Sequence, residues 1–210
     1  MQKLLKHVGG FLHPLGYRRR NTSFWKIEGG FYRLIDLQRG AHGGEYFFVN
    51  VCFHPVGLPE LQTKTLSIID HPKEYECIIR QRIEQVVKDQ RIQAFKRGPV
   101  AVDDPVVLKA LQDTLPNEVE HWLVEWASFS KLASAPEEEI IKMLSSTPKL
   151  QPKAILLLRF YCHLRLNQMN GACEALRQFL NTEIVGLSFP HVDEHLRSLC
   201  AVPSVETPSA

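Results

Sequence analysis

The chain of 210 residues is 44% hydrophobic and 23% charged, with a formal net charge of +2. Such proportions allow a buried core, and they exclude a disordered polymer or a globally basic nucleic-acid-binding chain. The charge is uneven: residues 1–100 hold sixteen Lys and Arg against nine Asp and Glu (+7), and residues 101–210 hold nine against fourteen (−5). That asymmetry can steer a partner or be an ordinary solvated surface.

Residues 2–13 read as an amphipathic helix, because Leu4, Leu5, Val8, Phe11 and Leu12 recur at helical spacing; Pro14 and Gly16 end it. Tyr17 to Ile27 reads as one extended strand, turned back at Glu28-Gly29-Gly30. Phe31 to Arg39 forms a second strand, with Phe31, Arg33, Ile35 and Leu37 on one face and Tyr32, Leu34, Asp36 and Gln38 on the other. Gly40 to Gly44 turns into a third strand, Glu45 to His54, where Phe47, Val49, Val51 and Phe53 face one way and Phe48, Asn50, Cys52 and His54 the other. Short turns between adjacent strands specify an antiparallel meander. A loop follows to Thr65, and residues 76–83 are open between strand and helix.

Asp103-Asp104-Pro105 starts a helix to about Leu115, and a further start falls at Leu115-Pro116-Asn117. Its stripe of Val119, Trp122, Leu123, Trp126 and Phe129 is expected to pack on the sheet. Ser134-x-x-Glu137 has capping-box spacing for a helix to Ser145. Residues 153–168 and 172–182 read as an αα-hairpin turned at Asn170-Gly171, with a last helix over 190–200. The hairpin resembles a tetratricopeptide unit, and a single unit of that kind is expected to cap the main domain, since it cannot stack into a solenoid. The expected class is therefore α+β: a meander of three or four strands packed with helices (residues 1–132), a helical subdomain (133–200) and a disordered tail (201–210).

Candidate chemistry is sparse. Cysteines stand at 52, 77, 162, 173 and 200, an odd number without a Cys-x-x-Cys pair, which fits a reducing cytosol better than a disulfide framework or zinc site. The N-terminal apolar run is too short for a signal peptide, and no apolar run is long enough for a membrane span. His191 and His195 share a helical face but lack a third ligand, and Glu118-x-x-His121 is half of a di-metal motif that needs a second copy. No cofactor or metal is expected. The glycine pairs 29–30 and 43–44 suit hairpin turns rather than a phosphate loop.

Arg18-Arg19-Arg20 beside Phe24 and Trp25 is the best basic-aromatic cluster, but a strand alternates its faces, so the arginines cannot all point one way. A nucleic-acid partner is not expected. The polar face holding Tyr32, Asp36, Gln38, Asn50 and His54, with Arg18 and Arg20 nearby, either recognises a partner through directed hydrogen bonds or satisfies itself beneath covering elements.

The succession Phe11, Gly16-Tyr17-Arg18-Arg19, Thr22-x-Phe24-Trp25, Leu34-Ile35-Asp36-Leu37-Gln38 and Phe47-x-Val49-Asn50-Val51 resembles the bacterial family known as domain of unknown function 4304 over roughly residues 4–130. Tyr17, Asp36 and Leu37 stand where that family's pattern has Phe, Asn and Phe. Cys77-Ile78-Ile79-Arg80-Gln81-Arg82-Ile83 resembles a further block that is a strand in the family. The resemblance implies small cytosolic proteins, some in the style of immunity proteins beside secreted toxins, and no catalytic residues; Gln38, Asn50 and Arg80 carry over as structural or functional positions. The leading expectation is a non-catalytic, cytoplasmic protein-binding protein that neutralises a toxin domain, through the polar sheet face or the acidic stretch 101–139. The alternative is an enzyme or nucleic-acid-handling protein using Asp36, Gln38 and His54.

Overall fold

In a computed structural model the described residues are 1–40, 45–61 and 65–200. The expected turn at 41–44 and tail at 201–210 lie outside them.

Helix α1 (Gln2–Leu12) buries Leu4, Leu5, Val8 and Leu12, the apolar stripe of its sequence. A short 3-10 turn over His13–Leu15 ends at Gly16, in the left-handed region. The first strand differs from expectation. Asn21 adopts φ +55, and the chain reverses there to give β1 (Arg18–Arg20) and β2 (Ser23–Glu28) in place of one continuous strand. Asparagine tolerates the left-handed conformation, so no glycine marks this turn. Strands β3 (Phe31–Arg39) and β4 (Tyr46–Pro55) follow their alternation, with Tyr32 opposite His54, Asp36 opposite Asn50 and Ile35 opposite Val51.

Residues 76–83 resolve into both structures that their sequence left open. Strand β5 (Ile79–Arg82) pairs with β4, and α2 (Ile83–Val86) turns off its end. A 3-10 segment over Ile92–Arg97 and strand β6 (Val100–Ala101) complete an antiparallel sheet in the order β1-β2-β3-β4-β5, with β6 also paired to β4. The class is α+β.

Gly29 and Gly30 form the β2–β3 turn with φ +60 and +83, the pair of positive values that a tight two-residue hairpin demands. A Cβ on Gly30 would lie 2.8 Å from a ring carbon of Phe129, whereas one on Gly29 meets nothing within 4 Å. Gly30→Ala is expected to lower stability by about 1–2 kcal/mol through backbone strain and crowding. Gly29→Asn should be nearly neutral, and urea unfolding of the pair checks the contrast.

One sheet face is the main core. Phe24, Phe31, Ile35, Leu37, Phe47, Val49, Val51 and Phe53 are all fully buried on it. Helix α3 (Pro105–Thr114) starts on Asp104, whose side chain accepts from the N–H groups of Val106 and Val107. The expected break at Pro116 is instead a π-helical turn over Leu115–Val119 that runs into α4 (Glu120–Trp126). Proline has no N–H to donate, and widening the turn absorbs that loss; Asn117 Nδ2 donates to the Asp113 carbonyl at 2.6 Å. Trp122 meets Phe53 at 5.7 Å between ring centres, and Phe129, first residue of α5 (Phe129–Ser134), meets Phe31 at 4.4 Å. The expected packing of this stripe on the sheet is present.

Ser134 ends α5 and hydrogen-bonds back to Ser130, so it does not cap the next helix; α6 (Glu137–Ile141) begins after Pro136. That helix stops at Ile141, not Ser145. The chain then runs along β5: Arg80 N–H donates to the Met143 carbonyl at 3.1 Å, and Ser145 N–H donates to Ile78 at 2.9 Å. An open strand edge would otherwise expose its N–H and C=O groups, and this segment covers it. Helices α7 (Gln151–Arg165) and α8 (Met169–Asn181) form the hairpin, but it turns at Asn167, φ +57, and Asn170-Gly171 lies inside α8. The His163 side chain occupies the space beside Gly171, since a Cβ there would lie 2.6 Å from its ring. Helix α9 (Pro190–Cys200) packs Val192 and Leu196 inward. Among the described residues no helix is long and apolar enough to cross a membrane.

Candidate functional site

The second sheet face carries the polar residues, and strand register sets them in rows. One row runs Arg20, Ser23, Asp36, Asn50, Arg82; the next runs Arg18, Trp25, Leu34, Cys52, Arg80. Arg18 and Arg20 thus share this face while Arg19, opposite Phe24, alternates away, as strand geometry requires. Residues 71–74 share a cavity with Asp36, and beside them Tyr32, Leu34, Cys52 and Cys77 pack into a small apolar cluster flanked by Trp25.

A cavity of about 320 Å³ opens beside that cluster. Tyr32, Asp36 and Gln38 line it from β3, and Arg20 lines it from the edge strand. Asp36 is only 3% exposed. Its Oδ1 accepts from Ser23 Oγ at 2.7 Å and Thr22 Oγ1 at 3.0 Å, and its Oδ2 has a single long contact, Asn50 Nδ2 at 3.5 Å. Asn50 spends its better hydrogen bond, 3.2 Å, on Gln38 Oε1. Tyr32 donates its phenol proton to Asp70 at 2.5 Å. His71 stands against both Trp25 and Tyr32, with ring centres 4.4 and 5.6 Å away.

Thr22, Ser23, His71, Lys73 and Glu74 also belong to this cavity, and sequence reasoning missed them as site residues. Thr22 and Ser23 arrive there because the unrecognised turn at Asn21 reverses the chain beside Asp36. The 71–74 segment has no periodicity to betray its position. Burial pushes the Glu74 carboxyl above its usual range, and the charge of Asp36 adds to the rise. Both acids line the one cavity, and the charge of Arg80 works against the rise at Glu74.

The remaining expected residues are elsewhere. Arg18 does not line the cavity. His54, 2% exposed, is turned into a separate cavity of about 230 Å³ with Leu58, Glu60, Cys77 and Leu157. Its Nδ1 accepts from the Ile78 N–H at 3.3 Å, and its Nε2 donates to the Leu58 carbonyl at 3.4 Å. Both ring nitrogens are committed in one neutral tautomer, and burial lowers the pKa from 6.5 to about 4. The structure thus joins Tyr32, Asp36, Gln38 and Asn50 and separates His54 from them. Cys52 is buried with Cys77 beside it, and burial raises its thiol pKa well above the ordinary value, which suits a packed side chain rather than a nucleophile.

Electrostatics beneath the opposite face were also illegible in sequence. Glu120 accepts from Tyr17 Oη at 2.8 Å and Lys26 Nζ at 2.6 Å, and Arg33 lies 3.5 Å away. Glu28 completes the group by pairing Lys26 and Arg33. His195 Nε2 meets the Tyr161 hydroxyl at 3.0 Å. Among the described residues no three His, Cys, Asp or Glu side chains are placed to hold a metal ion.

Neither the curated proteins nor the solved structures contain a match to this chain. The sequence model of one family matches residues 8–128, from within α1 through the whole sheet to the end of α4. That span is more than half of the chain and includes the cavity over Asp36, so the protein belongs to the family Domain of unknown function (DUF4304).

Proposed function

We propose that the protein is a non-catalytic binding protein that captures a protein partner with the sheet face around Asp36, in the manner of an immunity protein occupying a bacterial toxin domain. The observation that carries this reading is the separation of His54 from Asp36. Acid-base catalysis needs a titrating group within reach of the reacting atoms; His54 is held neutral in another cavity by two hydrogen bonds, so Asp36 and His54 do not act together, and His71, which does line the recess, is packed against Trp25 and Tyr32. What stays accessible is suited to recognition: a polar recess flanked by Arg20 and Arg39. The basic N-terminal half would steer an acidic partner surface toward it. A cytoplasmic, bacterial setting belongs to the same reading.

The test is co-purification of the tagged full-length chain from its native host at moderate salt. One dominant partner is expected, retained by wild type and lost by Arg20→Glu and Gln38→Ala variants that unfold at the wild-type denaturant concentration. No partner across growth and toxin-exposure conditions, or capture indifferent to those variants, sinks the reading.

The recess itself favours a second reading. A cavity of about 320 Å³ is at the size of a small-molecule site, so an enzyme or small-ligand protein using Tyr32, Asp36 and Gln38 is the alternative. Turnover of any substrate that is abolished by Asp36→Asn would replace the first reading with this one.

A further inference from the structure

Asp36 presents a problem of charge. A side chain 3% exposed that is ionised ordinarily has a cation beside it, because removing a carboxylate from water is expensive unless it is paired. Among the described residues none forms an ion pair with Asp36. Arg82, two strands away in the same row, stacks its guanidinium 4.2 Å from the Phe48 ring and interacts with the charge of Asp36 only through space, without an ion pair. Its NH1 is buried without a partner rather than bonded to the acid. Asp36 is held instead by two hydroxyls on Oδ1 and one long amide contact on Oδ2. The carboxylate is thus fixed in position, under-satisfied on Oδ2, and beside an open cavity.

The rest of the lining has the same bias. Glu74 brings a second carboxyl to the lining, where burial and the charge of Asp36 push its pKa up and the charge of Arg80 opposes that rise. Trp25, Tyr32 and His71 supply three rings on its wall, with His71 packed against the other two. Aromatic faces and carboxylates together attract an organic cation by cation–π and charge-assisted hydrogen bonds. At the mouth the sign reverses: Arg20, Arg39 and Lys73 line it, and Lys73 Nζ is already bonded to the Tyr75 hydroxyl at 2.8 Å. Basic groups there oppose a ligand that is a bare cation and favour one whose cationic end is joined to an anionic or carbonyl group left at the mouth.

We infer that the cavity over Asp36 is a receptor for a primary ammonium or guanidinium group, inserted past Trp25 and His71 to stand between Asp36 and Glu74. The cationic group belongs to a basic amino acid, either free or as a side chain of the partner. This rests on the binding role proposed above and names the chemistry of its central contact.

The experiment titrates the full-length protein, labelled with ¹⁵N, with agmatine, L-arginine, N-acetyl-arginine amide and, as an anionic control, inorganic phosphate. The Trp25 indole N–H resonance is the readout. Saturable shifts with L-arginine and N-acetyl-arginine amide are expected, weaker ones with agmatine, whose second cationic end meets the basic mouth, and none with phosphate. Asp36→Asn should weaken binding by about tenfold or more, since a charge-assisted contact is lost. Because Asp36 also holds Thr22 and Ser23, Glu74→Gln serves as the second variant: it is isosteric, keeps an oxygen for the neighbouring backbone N–H, and should weaken the cations severalfold with wild-type stability. Preference for L-arginine assigns a free amino acid; equal or better binding of the capped form assigns a side chain. The proposal is overturned by no saturable shift from any cation, by phosphate moving the same resonance, or by unchanged affinity in both variants. A protein partner captured equally well by wild type and Asp36→Asn would leave the binding role standing and remove the cation pocket from it.

Discussion

Glu120→Ala is expected to remove about 3–5 kcal/mol of stability, the usual consequence of deleting one member of a buried charge group. The side chains of Lys26 and Arg33 are 11% and 5% exposed, and Glu120 sits between them at 2.6 and 3.5 Å. Without it, two cations and the Tyr17 hydroxyl are left in a largely dry layer. Glu28 is 54% exposed and pairs with both, so it cannot take Glu120's place inside. Tyr17 shows how dry the layer is: burial and the nearby Glu120 charge hold its phenol far above the usual range. A loss of this size is a large part of the 5–15 kcal/mol or so that stabilises a typical domain. Urea unfolding should show a much lower midpoint with an unchanged slope. Glu125→Ala is the control: its carboxylate pairs with Lys131 at 3.4 Å on the surface, and its removal should stay within about 0.5 kcal/mol. Equal losses in the two variants would refute the buried network.

Glu120 also shows why part of this protein was legible and part was not. In sequence it is one letter of a half-motif, Glu118-x-x-His121. Its actual partners lie 87 to 103 positions away, a separation over which periodicity carries no information. Strands β3 and β4, by contrast, write their two faces into every second residue, and the pairs Tyr32–His54 and Asp36–Asn50 follow from that pattern plus a short turn. The same logic failed at Asn21, where a turn formed without glycine. It failed again at Met143–Ser145, where a run with helical composition was drawn onto the exposed edge of β5. At Met143–Ser145 tertiary pairing overrode local propensity, whereas at Asn21 the local signal was asparagine's tolerance of the left-handed region.

The site divides the same way. Tyr32, Asp36, Gln38 and Asn50 were readable as one polar face, yet a face is only half of a cavity. The other wall, His71 to Glu74, comes from a loop whose path is set by packing on Trp25 and Tyr32. Asp36 also departs from the asparagine of the family pattern that the sequence resembles. The departure matters physically, because an amide at this position would need no cation, whereas among the described residues the carboxylate has no ion-pair partner.

His54 should make the protein acid-sensitive within a defined window. Its pKa is about 4 in the folded protein against 6.5 for the ordinary group, so between those values the unfolded chain binds the extra proton and the folded one does not. Stability therefore rises with pH through this range, is fully present above about pH 6.5, and falls as the pH drops toward 4. The difference corresponds to about 3 kcal/mol at most. The geometry explains the sign: a second ring proton would have to enter at Nδ1, where the Ile78 N–H already donates. Glu60 in the same cavity works in the opposite direction, because burial, then Glu76, raises its carboxyl pKa and makes the folded state the better proton acceptor. A single stability curve mixes the two contributions, so the measurement is a difference. Urea unfolding of wild type and His54→Gln at steps from pH 7 to pH 4 should give curves that converge at the acid end, since Gln can donate and accept but does not titrate. Parallel curves would mean that His54 titrates alike in the folded and unfolded chain, contrary to its burial and its two hydrogen bonds. Convergence would assign His54 to stability, and leave Asp36, His71 and Glu74 as the titratable groups that line the proposed binding cavity.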